Sequence, residues 1–260
     1  MRFYSLIKSH TGTTSIAVNL AKNLTPGSVL INTPVKSIKQ HNGITKVTAA
    51  NGKTFKTKKV ILAIPTNTYA DITFSPPLPC KKTALFSKTK PGIYAKLILS
   101  YAKPWWRDAG LVGKFSSAVG PVSFSWDTSD LKKEQYSLAI FIAGDIAARW
   151  YELPDEEKES SVVEHLASLV GKDLEDNARD VLEINSALWV REDYIYGAPT
   201  NSMGPGVLRK YGRVLREPFG SLHFGGGETA YEWKGYLEGA LRAGQRAADE
   251  VIDELGACET

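Results

Sequence analysis

The sequence predicts an α/β (α+β) fold, and three patterns predict it. Short alternating segments punctuated by Asn42-Gly43 and Asn51-Gly52 specify a β-meander, since Asn-Gly between alternating runs is a strong hairpin signal. Residues 73 to 187 interleave apolar β-branched runs with an acid-opened helix, which fits a sheet with helices on one side. Near the C-terminus the short apolar strand Leu222-His223-Phe224 runs into Gly225-Gly226-Gly227 and then into a long helix of small residues. Glycines there let backbone approach a ligand closely, and the helix start offers unpaired N–H groups to an electron-rich one.

The elements follow in order. Ile16, Leu20 and Leu24 have helical spacing behind the hydroxyl cap of Thr13, and Pro26-Gly27 ends that helix. Strands are expected at 28–31, 35–40, 45–48 and 54–56. Lys59 to Pro65 is a continuous apolar strand of the kind buried on both faces. Tyr94 to Tyr101 alternates, and Val122–Trp126 and Ser137–Ala143 follow as strands. Pro154-Asp155-Glu156-Glu157 opens a helix that continues to Gly171, with Pro early and acids in the first turn. Val181–Trp189 returns as a strand, and the last helix spans about Gly235 to Leu255. Along it, Gly239, Ala240, Ala243, Gly244 and Ala247 place small residues together for close packing.

Composition narrows the function classes. At 260 residues the chain can bury a sizeable core, and 43% hydrophobic with 23% charged residues is ordinary for a soluble globular protein. The net charge of +4 is spread along the chain, so no nucleic-acid footprint is present. Cys80 and Cys258 are far apart in sequence and have no metal-ligand neighbours. A reduced compartment is expected, with no disulfide framework and no metal site. No apolar run approaches the length of a membrane span, and Met1–His10 lacks a signal-peptide core. The expectation is a cytoplasmic protein. His10, His41, His165 and His223 have no metal-ligand spacing, and no nucleophile elbow occurs.

The remaining signals concern a ligand. Gly225-Gly226-Gly227 is not a dinucleotide fingerprint, because no βαβ unit surrounds it. Glu228 sits where a carboxylate could accept hydrogen bonds from sugar or ribityl hydroxyls. Lys96 lies in an alternating strand, where a lysine either faces water or points into a cavity and holds a water against a cofactor atom. Trp105, Trp106, Trp189, Trp233 and Tyr236 can serve a pocket or the core.

Taken together, these residues resemble the flavin-containing amine oxidases, monoamine oxidases in particular. Tyr211-Gly212-Arg213-Val214-Leu215-Arg216-Glu217-Pro218, followed by Phe224 to Gly244, is similar to that family's C-terminal flavin-binding segment almost position for position. Gly12-Thr13 through Pro34-Val35, the strand ending in Ala63-Ile64-Pro65, and Lys96 ahead of Tyr101-Ala102-Lys103-Pro104-Trp105-Trp106 extend the likeness over essentially the whole chain.

The resemblance implies oxidation of a primary amine by hydride transfer to FAD. The product imine is hydrolysed to aldehyde and ammonia, and dioxygen is reduced to hydrogen peroxide. It also implies catalytic roles for Lys96 and Tyr236 and cofactor contacts from Val35, Trp189, Gly227, Glu228, Gly235, Tyr236 and Leu237. Phe141, Ala143 and Pro199 would line the substrate pocket. The flavin-side portion would be 1–72 with 188–260, around a substrate portion at 73–187. Polyamine or amino-acid oxidation is a nearby alternative.

Three departures shape the expectations. Ala198 stands where covalent monoamine oxidases carry the linking cysteine, so FAD would be non-covalent. Pro199 stands where the second wall of an aromatic slot is usual. The family's N-terminal Gly-x-Gly-x-x-Gly unit is absent, so the chain is expected to hold FAD weakly or not at all. An inactive remnant, a truncated product, a homo-oligomer or one half of a split protein needing a complementing N-terminal half are the corresponding alternatives.

Overall fold

The computed structural model describes residues 12–257. In chain order the elements are α1 (Thr14–Lys22), β1 (Val35–His41), β2 (Ile44–Ala49), β3 (Thr54–Thr57), β4 (Val60–Leu62), β5 (Thr73–Ser75), α2 (Cys80–Phe86), β6 (Thr89–Pro91) and β7 (Tyr94–Tyr101). They continue with α3 (Trp105–Asp108), β8 (Phe124–Asp127), β9 (Tyr136–Ala143), α4 (Gly144–Tyr151), α5 (Asp155–Val170), α6 (Glu175–Arg179) and β10 (Glu183–Ala187). The last are β11 (Asn201–Met203), α7 (Val207–Tyr211), β12 (Leu222–Phe224) and α8 (Leu237–Gly256). His10 and Cys258 lie outside the described residues.

The meander forms as its turn signals require. β1 pairs antiparallel with β2, β2 with β3, and β5 adds in parallel to β1. The middle sheet, ordered β10-β7-β9-β8, is antiparallel throughout. Strict alternation in β7 sends Ala95, Leu97, Leu99 and Tyr101 into the largest core, with Ile140 and Ile142 of β9 and Val162 and Leu166 of α5. Tyr94, Lys96, Ile98 and Ser100 occupy the opposite face, which stays half-buried.

A second core joins Ile38 of β1, Leu62 of β4 and Leu222 and Phe224 of β12 with Tyr69 and Ile72. β4 and β12 pair in parallel, with His223 opposite Ile61. α8 covers β12, and close packing narrows the small-residue stripe to Gly239, Ala243 and Ala247. Gly244 faces open space.

Three sequence expectations need correction here. Residues 28–31 form no strand, because no described strand pairs with them, and Ile31 is 79% exposed. The apolar run 59–65 yields only β4, and it is not covered on both faces: Ile61 is 38% exposed. α1 forms, but Ile16, Leu20 and Leu24 stay exposed, and Thr13 makes no side-chain cap. Its amphipathic spacing set the helix, while none of its residues is buried. No helix among the described residues is long and apolar enough to cross a membrane.

Candidate functional site

The glycine turn after β12 is held rigidly from several sides. Gly225 packs in ordinary contact with Ile61, and Gly226 takes φ +89°, a conformation open mainly to glycine. The Gly227 carbonyl accepts from Gly235 N at 3.3 Å, which closes the loop between the turn and the entry to α8. Arg216 donates to the carbonyls of Thr229 and Ala230 at 2.6 and 2.8 Å, and Arg246 donates to the Phe224 carbonyl. Glu228 is 9% exposed within this frame, and its Oε1 accepts from Asn201 Nδ2 at 2.9 Å. Lys234 lies nearby; burial lowers its pKa, Glu228 opposes that, and Arg216 adds to it.

Residues 198–201 form a second wall. Ala198 N donates to the Gly92 carbonyl at 2.9 Å, Gly92 N donates to the Thr200 carbonyl at 3.1 Å, and β11 then pairs with β6. A Cβ on Gly92 would lie 2.2 Å from the Ala198 oxygen, so only glycine permits the approach. Gly235 faces Thr200, whose Oγ1 would be 3.1 Å from an added Cβ. Pro199 and its neighbours therefore connect the α8 entry to the segment that leads into Lys96 on β7.

Lys96 Nζ stands 5.4 Å from the Phe141 ring centroid. Phe141 stacks on Phe124 at 4.5 Å, and Tyr94 is 5.9 Å from Phe141 and 6.4 Å from Phe124. Ala143 pairs with Tyr94 and shares the face. Tyr94 and Phe124 escaped the sequence reading, because only the strand register reveals that they meet Phe141. Tyr94 did leave a signal, standing two residues before Lys96 and hence on its face.

Other predicted residues are less enclosed. Tyr236 is 67% exposed, immediately before α8, and meets Trp233 edge-on at 6.1 Å. Leu237, the first residue of α8, and Trp189, beyond β10, are exposed as well. No hydrogen bond or ring contact among the described residues joins Tyr236 or Trp189 to Lys96. The helix begins at Leu237, so Gly235, at φ +81°, belongs to the turn. Val35 lines a cleft of about 700 Å³ with Pro34, Ala63, Ile64, Asp71 and Tyr194. No group of three His, Cys, Asp or Glu residues suited to a metal ion occurs among the described residues.

A glycine turn carrying one buried carboxylate, tied through residues 198–201 and Gly92 to the strand that bears Lys96, fits a cofactor-type arrangement. The profile of the flavin containing amine oxidoreductase family matches residues 2–252, and the chain belongs to that family. The flavin-containing amine oxidase B of Sus scrofa is 33% identical over 237 residues, covering 90% of this chain and 45% of that protein. An L-amino acid dehydrogenase of Synechocystis is 31% identical over 247 residues, covering 95% of this chain and 51% of that protein.

Among solved structures, wild-type putrescine oxidase bound to putrescine superposes with a TM-score of 0.86 at 28% identity. Cyclohexylamine oxidase from Brevibacterium oxydans gives 0.86 at 26%. Each structural match covers 94% of this chain and 53% of the other. The chain thus spans about half the length of the curated relatives it matches.

Proposed function

We propose that this chain supplies the flavin-ring and substrate side of an FAD-dependent oxidase of primary amines, with the flavin held non-covalently. The observation that carries this reading is the convergence of the glycine turn and buried Glu228 with the segment 198–201, which leads through Gly92 to Lys96. The division into 1–72 with 188–260 and 73–187 belongs to the same proposal, supported by the separate cores around β4–β12 and around β7–β9.

The residues fit the ring and polyhydroxyl portion of such a cofactor. The Glu228 carboxylate accepts one hydrogen bond from a described residue and so keeps capacity for ligand hydroxyls. The start of α8 at Leu237 presents amide N–H groups and a positive dipole end. Val35 and its cleft would take the adenosine side. Bound FAD supplies a hydride acceptor that dioxygen reoxidises, yielding hydrogen peroxide.

Lys96 would hold a water against the cofactor, and Tyr236, Phe141, Ala143 and Pro199 would orient the amine and exclude bulk solvent. Ala198 offers no thiol for a covalent link. The aromatic face of Tyr94, Phe124 and Phe141 favours an apolar amine substituent, which ranks monoamines ahead of polyamines and amino acids. Titration with FAD, read by quenching of flavin fluorescence, tests this. Saturable quenching that Glu228→Leu weakens supports the site, and full release of the flavin on denaturation supports the non-covalent mode. Quenching indifferent to Glu228 would contradict the assignment.

One observation favours a second reading, in which the chain is inactive alone and completes its site with a complementing polypeptide. Among the described residues β4 pairs only with β12, and the apolar side of α1 has no partner. A two-stranded parallel sheet with an open edge is a poor independent unit. Absence of flavin uptake by the isolated chain would favour this reading.

A further inference from the structure

Glu228 does not stand alone. Asn201 Nδ2 donates both to Glu228 Oε1 and to Asn67 Oδ1, each at 2.9 Å, and Asn67 Nδ2 donates to the Ile195 carbonyl at 2.8 Å. The polarity of this chain admits one arrangement. A carboxylate at one end and a carbonyl at the other can only accept, so Asn201 must use both amide hydrogens and Asn67 must accept on one side and donate on the other.

The far end of the chain lies in an unusual loop. Ile195 is flanked by Tyr194 and Tyr196, at φ +64° and +57°, in the left-handed region that bulky side chains rarely adopt. Such conformations persist only where the surroundings over-determine them. Asn67 grips the peptide carbonyl between the two tyrosines. Tyr194 in turn lines the cleft shared with Val35.

We propose that Asn67 and Asn201 are positioning residues, a hydrogen-bond relay that aims the Glu228 carboxylate at ligand hydroxyls and locks the loop 192–197 in register with it. The inference rests on the reading of Glu228 as a flavin-facing residue. The relay occupies Oε1 and leaves the other carboxylate oxygen for a polyhydroxyl chain. Because one set of bonds spans both ends, a change at Glu228 is felt at Tyr194, and the two walls of the ligand space respond together. Asn67 and Asn201 are 134 residues apart in sequence.

Hydrogen exchange of the purified chain tests the relay without requiring any ligand. Asn201→Ser should speed exchange in 192–197 about tenfold, the effect of losing one hydrogen bond's worth of local stability, although the side-chain bonds of Asn201 go to Asn67 and Glu228 and none goes to that loop. Asn67→Ser should do the same at 226–229. Asn67→Asp, which keeps the size but sets a carboxylate against the Ile195 carbonyl, should loosen both segments, and the double Ser variant should exceed neither single variant. Effects confined to the immediate neighbours of each substitution, or additive effects in the double variant, would overturn the proposal.

Titration with riboflavin and FAD separates the two layers. If exchange is coupled but the wild type takes up no flavin, the relay stands and the flavin reading falls. If flavin binds and the exchange effects stay local, the relay falls and the flavin reading stands.

Discussion

Lys82 offers a sharp physical test of the core beneath the glycine turn. Its side chain is 1% exposed, its ammonium donates to the Val214 carbonyl, and it lies 3.6 Å from the centroid of Phe224 on β12. Burial draws its pKa from the ordinary 10.5 down to about 8, with Glu217 opposing the shift. A drop of that size corresponds to about 3 kcal/mol at about 1.4 kcal/mol per pH unit.

The sign follows from proton uptake. Between pH 8 and 10.5 the unfolded chain binds a proton that the folded chain does not, so stability rises with pH across that window. Below pH 8 the full penalty is present. Lys82→Met keeps the length and the packing on Phe224 while removing the titration, at the cost of about 1 kcal/mol for the bond to Val214. Urea unfolding of both proteins at several pH values is the assay. The wild type should gain up to about 3 kcal/mol on the Met variant between the two pH limits, with tyrosine ionisation cancelling in the difference. Parallel profiles would refute the reasoning, because they would mean that the ammonium is not desolvated in the fold.

Three further outcomes follow from local geometry. Asp127 accepts from Trp106 at 2.9 Å and from Arg107 at 2.6 Å; burial would raise its pKa, but these hydrogen bonds hold it well below the carboxylate range. Asp127→Asn should therefore cost about 2 kcal/mol near neutrality in chemical denaturation. That deficit should shrink as pH falls below the unfolded value of 3.8 toward the lower folded one. Gly239→Ala would set a Cβ 2.1 Å from the Trp233 oxygen and should destabilise by about 2 kcal/mol. Gly244→Ala, in open space on the same helix, should be neutral or stabilise by up to about 1 kcal/mol, and a thermal melt of the pair checks both.

Much of the fold was legible because local rules decided it. Asn42-Gly43 fixed a hairpin, the alternation of 94–101 fixed which face of β7 enters the core, and Asp155 to Glu157 opened α5. Residues 28–31 misled, because a strand needs a neighbour and no propensity supplies one. The small-residue stripe of α8 misled at Gly244, because periodicity places a residue on a face but not against a partner. At the site, Gly227, Glu228 and Gly235 were visible as a cluster in sequence. Asn67, Asn201, Tyr94 and Phe124 were not, since their roles arise from contacts between segments that only the tertiary fold brings together.

The central claim is that this chain presents a flavin ring to an amine. The most direct measurement is the visible spectrum of the chain mixed with FAD, followed without oxygen as a primary amine such as benzylamine is added. With FAD in large excess over the weak affinity expected of a chain lacking the Gly-x-Gly-x-x-Gly unit, the account predicts an oxidised-flavin band, perturbed from that of free FAD, that the amine bleaches and readmitted air restores. An unperturbed spectrum of free FAD, indifferent to the amine, would contradict it.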